Sequence, residues 1–244
     1  MKNKKLKAIL SITGYFLLVV ALCVSASVVF HNLYYELVYV SGSSMYPNLN
    51  GQDNEKDGSV VDFGIADYHK SAINNIKRFS VISTYYYDDY ASDGTLKANP
   101  KIKIKRVIAL PRETFKIEKS QLYVLKDGQY ELIPYSFEIE PKVNENYEGK
   151  DIAETTLGEN EYWVLGDHRD KSRDSGTLNK PVLKSYILGV LVAIEGQAQL
   201  KVTKYVCNSC GKVSKTGGLC QSCYGELSAE YDLVNRQYHW PKYF

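Results

Sequence analysis

The stretch Ser41-Gly42-Ser43-Ser44-Met45-Tyr46-Pro47-Asn48 places a hydroxyl among small residues, just before a proline. It directly follows a short apolar run, Leu37–Val40, which predicts a strand. A serine in such a setting can act as a nucleophile when a neighbouring group removes its proton. The same composition is also typical of an ordinary turn. The residues further along the chain decide between these two interpretations.

An uncharged apolar run occupies residues 8–30, after a basic tail of residues 1–7 that contains four lysines. Its length of roughly 23 residues predicts a helix that crosses a bilayer of about 30 Å. A cleavable signal peptide would have a shorter apolar region, of about 7–15 residues. Because positive charge stays inside, we expect a cytoplasmic N-terminus and an extracytoplasmic body. Ser44 would then act close to the outer membrane surface.

The remaining chain is rich in short apolar runs and has no long helical period, so a mainly β body is expected. A net charge of +2 in 244 residues argues against nucleic acid as a partner. Loops are predicted for residues 50–75 and 138–161, which are polar. Strands are predicted at residues 78–85, 101–110, 114–117, 121–125, 162–165 and 186–194.

A base for the serine is suggested by the run Lys101-Ile102-Lys103-Ile104-Lys105-Arg106-Val107-Ile108-Ala109-Leu110-Pro111. In a strand, Lys101, Lys103, Lys105, Val107 and Ala109 would share one face. Lys105 lies where that face changes from charged to apolar, and burial there would favour its neutral amine. A solvated lysine edge is the competing interpretation. The four histidines of the chain are alternative bases.

Three blocks together resemble bacterial type I signal peptidases in order and spacing. They are Gly42-x-Ser44-Met45-x-Pro47, Lys105 to Pro111, and Gly166-Asp167-His168-Arg169-Asp170-Lys171-Ser172-Arg173-Asp174-Ser175. The resemblance covers the chain from its N-terminus to about Ile194. It implies a mainly β fold, with one transmembrane helix followed by an all-β catalytic domain of coiled sheets over residues 31–203.

The resemblance also implies the roles of individual residues. Ser44 would be the nucleophile and Lys105 the general base, with the Ser172 hydroxyl orienting the lysine amine. The oxyanion hole would use the backbone N–H of Ser44. Relatives can add a serine hydroxyl where this chain has Gly42, so a contribution from Ser41 or Ser43 stays open. Three further residues would be structural: Asp167, Arg169 and Asp174.

This chain departs from the family pattern near the site. Ala109 and Arg112 replace glycines, Glu113 replaces an aspartate, His168 an asparagine and Gly176 an arginine. None of these positions belongs to the proposed dyad. Gly176 leaves the ion pairing of the acidic residues open, and His168 leaves a Ser/His arrangement as an alternative.

The activity implied by the resemblance is removal of signal peptides from secreted preproteins near the Sec translocon, at the membrane and without a cofactor. The substrate would lie extended beside an active-site strand and be cut after small residues. Two alternatives remain at this point. One is a catalytically silent protein on the same fold that binds partners through its C-terminal cysteines, and the other is a self-cleaving regulator.

Four C-terminal cysteines form two CxxC pairs, Cys207 with Cys210 and Cys220 with Cys223. Four thiolates at this spacing can surround a zinc ion tetrahedrally. We therefore predict a structural zinc site in a small zinc-ribbon-like module, residues 204–244. Two disulfides are the alternative in an oxidising location, and a redox-active pair is a third interpretation.

Overall fold

A computed structural model describes residues 2–50, 60–97, 100–140, 151–207, 209–225 and 227–244. The chain forms two compact units, Met1–Glu36 and Leu37–Phe244. Asn208, which lies inside the first CxxC pair, is outside the described residues.

The first unit is dominated by helix α1, Lys2–Tyr34. Within it, Ser11–Val29 has a mean hydropathy of 2.3, and its side chains are exposed. At 1.5 Å per residue, these 19 residues are about 28 Å long. The helix is thus long and apolar enough to cross a membrane.

The second unit is mainly β, as predicted. Two short helices, α2 (Lys70–Asn74) and α3 (Ser175–Leu178), interrupt the strands. The strands are β1 Tyr35–Val40, β2 Val60–Asp67, β3 Val81–Thr84, β4 Lys103–Ala109, β5 Thr114–Glu118, β6 Gln121–Lys126, β7 Gln129–Ile133, β8 Ile152–Thr156, β9 Glu161–Leu165, β10 Val182–Leu183, β11 Ile187–Cys207, β12 Val213–Ser214 and β13 Leu227–Tyr243.

These strands form two sheets. The larger sheet has the order β1-β2-β11-β3-β4-β9-β10, with β12 and β13 also paired to β11. The smaller sheet has the order β7-β6-β5-β8. Strand β4 lies deep in the larger sheet, where β3 and β9 both run antiparallel to it.

Opposite faces of β4 contribute to different parts of the core. Ile108 packs with Phe115, Leu122 and Trp163, which joins the smaller sheet to the larger one. Val107 points the other way, into a second apolar cluster. Burial on both faces holds β4 in a fixed register, so the directions of Lys105 and Arg106 are fixed as well.

The structure differs from the expected secondary structure in several places. Residues 50–75 were expected to form a loop, but they contain β2 and α2, and residues 138–161 contain β8. Strand β2 is mostly buried, so its residues do not alternate between apolar and polar as a half-exposed strand would. A register shift between Val107 and Ala109 places Ala109 in the cluster of Ile108, not with Val107 as expected.

Candidate active site

The loop after β1 carries Ser44 and is anchored by apolar side chains on either side of it. Met45 and Leu49 are 1% and 0% exposed and pack in one cluster with Val40 and Val81. The N–H of Tyr46 donates to the Ser43 carbonyl at 3.0 Å, which closes a turn. Ser44 therefore lies on a turn that buried apolar side chains anchor to the core.

Lys105 meets this turn from β4. Its Nζ lies 2.6 Å from Ser44 Oγ and 3.0 Å from the Ile104 carbonyl oxygen. Lys105 is 3% exposed. Burial lowers the pKa of Lys105 from 10.5 to about 8, while the carboxylates of Asp174 and Asp167 oppose this shift. The amine can therefore lose its proton near neutral pH.

The loop between β9 and α3 forms the third side of the site. The N–H of His168 donates to the Ser44 carbonyl at 3.1 Å. Gly166 lies so close that an added Cβ would come within 2.3 Å of both the Ser44 carbonyl oxygen and Ser172 Oγ. Ser172 is thus brought to the nucleophile loop. Its hydroxyl is buried and has no hydrogen-bond partner among the described residues, Lys105 included.

A buried ion pair lies on the face of β4 opposite to Lys105. The Arg106 guanidinium donates to both carboxylate oxygens of Asp167, through Nε at 2.8 Å and Nη2 at 2.6 Å. Asn48 Nδ2 donates to the same carboxylate at 3.0 Å. Asp167 therefore connects the nucleophile loop, β4 and the loop after β9.

Asp174 and Arg169 hold that last loop in shape. Asp174 accepts hydrogen bonds from the N–H groups of Gly176 and Thr177 at the start of α3, and from the Gly166 N–H at 2.9 Å. Arg169 Nη1 donates to the Gly166 carbonyl at 3.1 Å. Both side chains thus fix Gly166 against Ser44. These backbone N–H groups provide hydrogen bonds to the Asp174 carboxylate. The arginine expected from the family pattern at residue 176, where this chain has glycine, is therefore not needed to pair with Asp174.

The backbone N–H of Ser44 is free to donate a hydrogen bond to a bound group. The Ser44 N–H has no hydrogen-bond acceptor among the residues that the structure describes. Gly42 adopts a positive φ of 87°, and its carbonyl accepts a hydrogen bond from Asn50. The Gly42 carbonyl is therefore hydrogen-bonded to Asn50 and not to Ser44. Ser43 offers its carbonyl to Tyr46, as described above.

One edge of β4 beside Lys105 is open. Strand β9 pairs with β4 from Arg106 to Ala109. No described strand pairs with that edge between Lys103 and Lys105, whereas β3 occupies the opposite edge. An extended peptide could therefore add to β4 next to Ser44.

Sequence reasoning missed two contributors to this site. Asn48 is a loop residue whose partner lies 119 positions away, and no local pattern marks it. Gly166 could have been singled out, since a glycine directly before the predicted acidic block indicates a close approach.

The His168 ring lies 5.7 Å from the Tyr46 ring, and no hydrogen bond joins it to Ser44 in the described part of the chain.

The four C-terminal cysteines lie together at the tip of the β11–β13 hairpin. All their sulfurs are within 4.8 Å of one another, with 3.4 Å between Cys207 and Cys223 and 3.6 Å between Cys210 and Cys220. The five cysteines of the chain are free thiols. A tetrahedral zinc site with Zn–S bonds of 2.3 Å needs sulfurs about 3.8 Å apart, so these cysteines could hold a metal ion.

The backbone repeats one arrangement around each CxxC pair. The Cys207 N–H donates to the Lys212 carbonyl and its carbonyl accepts from Gly211, while Cys220 makes the same bonds with Gly225 and Tyr224. N–H groups after each first cysteine point at its sulfur. Such bonds suit a thiolate. The donor set, its spacing and its backbone therefore fit a tetrathiolate metal centre.

Comparison with known proteins identifies the family of this chain. The family model described as "Signal peptidase, peptidase S26" matches residues 12–194, which are 183 of the 244 residues. Over 97 residues the chain is 35% identical to signal peptidase I V of Bacillus subtilis (strain 168). That match covers 37% of this chain and 56% of the relative, so it spans little more than half of that protein.

A signal peptidase I from Enterococcus faecalis V583, solved by crystallography, is 25% identical with a TM-score of 0.38. The alignment covers 48% of this chain and 97% of that structure. Since the family model extends over three quarters of the sequence, from the apolar helix to β11, the chain belongs to the signal peptidase family, peptidase S26.

Proposed function

We propose that this protein is a membrane-anchored type I signal peptidase, a serine endopeptidase that removes signal peptides from secreted preproteins. Ser44 is its nucleophile and Lys105 its general base. The observation that supports this most directly is the 2.6 Å contact between Lys105 Nζ and Ser44 Oγ, made by a lysine that is 3% exposed.

In the proposed reaction, the neutral Lys105 amine takes the Ser44 proton while Oγ attacks the scissile carbonyl carbon. The oxyanion is stabilised by the Ser44 N–H, within the Ser43–Tyr46 turn. The resulting ammonium gives its proton to the leaving amine, which leaves an acyl-enzyme. Lys105 then deprotonates a water molecule that hydrolyses the ester, and the proton returns to Ser44. Ser172, whose hydroxyl has no hydrogen-bond partner among the described residues, is proposed to orient the amine when the substrate is bound.

The substrate is proposed to bind as an added strand on the open edge of β4, between Lys103 and Lys105. Helix α1 would hold the enzyme in the same bilayer as the apolar segment of the signal peptide. This shared anchoring raises the effective concentration of the scissile bond at the outer membrane surface, near the translocon. In this proposal, residues 1–7 are the cytoplasmic tail, 8–30 the span, 31–203 the peptidase domain and 204–244 the cysteine module. Strand β11 runs through the last boundary.

Zinc is the proposed occupant of the cysteine cluster formed by Cys207, Cys210, Cys220 and Cys223. With four thiolates, such a centre has no open position for a substrate, so its role would be structural. It takes no part in the proposed peptide cleavage.

The test is cleavage of a signal-peptide-bearing preprotein by the detergent-solubilised full chain. We expect cutting after a small residue, lost in Ser44→Ala and in Lys105→Ala. Ser92→Ala and Lys101→Ala are matched controls, because both side chains are exposed, and they should cut normally. No cleavage of several preproteins by the wild-type chain would contradict the proposal and favour a silent binding protein. Cleavage that survives Lys105→Ala would point to another base, such as His168.

A further inference from the structure

Strand β13 returns from the cysteine cluster without an apolar core of its own. It pairs with β11 from Leu227, opposite Cys207, to Tyr243, opposite Ala193. None of its described side chains is buried, and Trp240 is 93% exposed. The C-terminal half of β13 lies in the larger sheet, but beyond Gln199, where the pairing of β11 with β2 ends, β11 and β13 form a two-stranded ribbon for most of their remaining length. Such a ribbon is marginally stable at best in water, so the outer part of the hairpin needs something besides side-chain burial to stay closed.

The cysteine cluster is placed to supply that closure. It joins Cys207, the last residue of β11, to Cys223, four residues before β13 begins. A metal bound by all four thiolates would remove most of the entropy that the tip gains when the hairpin opens. Metal binding to such clusters commonly provides the free energy that folds the segment around them.

The far end of β13 reaches the proposed peptidase domain, residues 31–203, hereafter the catalytic unit. Arg236 Nε donates to the Tyr39 hydroxyl at 2.9 Å, and the Tyr238 ring packs edge-on against Phe63 at 5.0 Å. Lys242 Nζ donates to the Asn48 carbonyl at 3.3 Å. These contacts connect the C-terminal strand to β1, to β2 and to the loop that carries Ser44.

Asn48 makes the last of these contacts relevant to catalysis. It lies four residues after Ser44, and its amide binds both the Asp167 carboxylate and the Glu138 carbonyl. Asp167 in turn holds Arg106, the neighbour of Lys105. A bond from Lys242 to the Asn48 backbone therefore acts on the residue that joins the nucleophile loop to the ion pair beside the base.

We propose that the cysteine cluster is a metal clip that docks β13 on the catalytic unit, and that Lys242 of the docked strand is a positioning residue for the loop carrying Ser44. The metal would be zinc, bound by four thiolates. This inference rests on the proposed zinc site and the proposed Ser44–Lys105 dyad. It gives the C-terminal segment, which lies beyond the part matched by the family model, a role in the same reaction.

Metal dependence is tested on the full chain in detergent micelles, stripped with a chelator and then titrated with zinc. Zinc content is measured directly, and amide hydrogen exchange is followed over residues 193–207 and 227–244. We expect stripping to speed exchange of the β13 amides at least about tenfold and zinc to restore protection. Binding of zinc with no change in β13 exchange would overturn the clip while leaving the metal site in place. If zinc does not bind, both the site and the clip are wrong.

The role of Lys242 is tested separately, with zinc bound. Lys242→Ala is expected to lower kcat for preprotein cleavage about tenfold with little change in KM, because a shifted nucleophile loop misplaces Ser44 rather than the β4 edge. Lys242→Arg should restore most of the rate. Lys201→Ala, an exposed change on β11, is the matched control. Unchanged kcat in Lys242→Ala would overturn the positioning role.

Failure of the proposed function gives a different result. If the wild-type chain cuts no preprotein, Lys242 has no catalytic role, because there is no reaction for which it could position Ser44. The exchange experiment would still decide whether metal docks β13.

Discussion

Burial of Lys105 changes the pH at which its amine loses a proton. In water a lysine is protonated and cannot act as a base at neutral pH. Here the apolar side of β4 disfavours the charged form, and the pKa of Lys105 falls to about 8. Its contact with Ser44 then joins a group that can accept a proton to a hydroxyl that must lose one.

The pH dependence of cleavage follows from this shift. The neutral amine is the active form, and with a pKa of about 8 it makes up about one-tenth of the enzyme at pH 7. We expect kcat/KM to rise with pH through an apparent pKa near 8 and then to level off. The measurement is preprotein cleavage from pH 6 to pH 10. A profile that levels off below pH 7 would argue for a histidine instead.

Gly166 should tolerate no side chain. In Gly166→Ala the new Cβ would overlap the Ser44 carbonyl oxygen and Ser172 Oγ, both at 2.3 Å. Since the Ser44 carbonyl is backbone, the nucleophile loop itself must move, and we expect cleavage to fall by at least about a hundredfold. Gly158→Ala is the matched control, because its Cβ would meet only the flexible Glu161 side chain. Equal activities in the two variants would contradict this account of the site.

At the scale of elements, β4 arranges like charges along one face. Lys103 lies two residues before Lys105 and pairs with the buried Asp89 carboxylate. Asp89 also accepts the Lys101 N–H at 3.0 Å. The start of β4 is thereby fixed, although no described strand pairs with the edge opposite β3 at Lys103. The positive charge of Lys103 also helps to lower the pKa of Lys105.

Neutralising Lys103 should therefore move the pH profile. In Lys103→Gln, loss of the nearby cation lets Lys105 keep its proton to higher pH, so the apparent pKa of kcat/KM should rise, by less than about one unit. Lys101→Gln, two residues before β4 begins and exposed, should leave the profile in place. The pH profiles of the two variants, measured side by side, decide this. A downward shift in Lys103→Gln would show that the charge acts in some other way.

The elements also show what could be predicted from the sequence. Strand β4 was expected at residues 101–110 and is found at Lys103–Ala109, because its alternation is local. Strand β2 was not predicted, since burial on both faces removes that alternation.

The contacts of Asn48 with Asp167 and Lys242 join residues 119 and 194 positions apart, and only the folded sheet brings them together. Ser44 and Lys105 were named because their motifs are local. The C-terminal segment was treated as a separate module, yet β11 and β13 run continuously between the cysteines and the main sheet.

At the scale of the whole molecule, the charge at the two ends of α1 predicts the membrane orientation. The lysines of the basic tail should remain in the cytoplasm, with residues after the span outside. We expect protease added to intact spheroplasts to digest the catalytic unit while an N-terminal epitope tag stays protected. Lysed spheroplasts are the control, in which the tag is lost. Digestion of the tag with survival of the catalytic unit in intact cells would mean the reverse orientation.

Lys105 and Arg106 are adjacent cations that β4 directs to opposite faces, one to Ser44 and one to Asp167. A one-residue deletion upstream, accommodated by sliding the strand, would bring Arg106 to the position of Lys105. A guanidinium keeps its proton at every physiological pH, so the slid strand would set a permanent ion beside the serine. Such a protein could fold, reach the membrane and bind a peptide, yet never turn over. For natural variation in this gene, we therefore expect a single-codon deletion just before β4 to be a null allele even though it removes neither Ser44 nor Lys105.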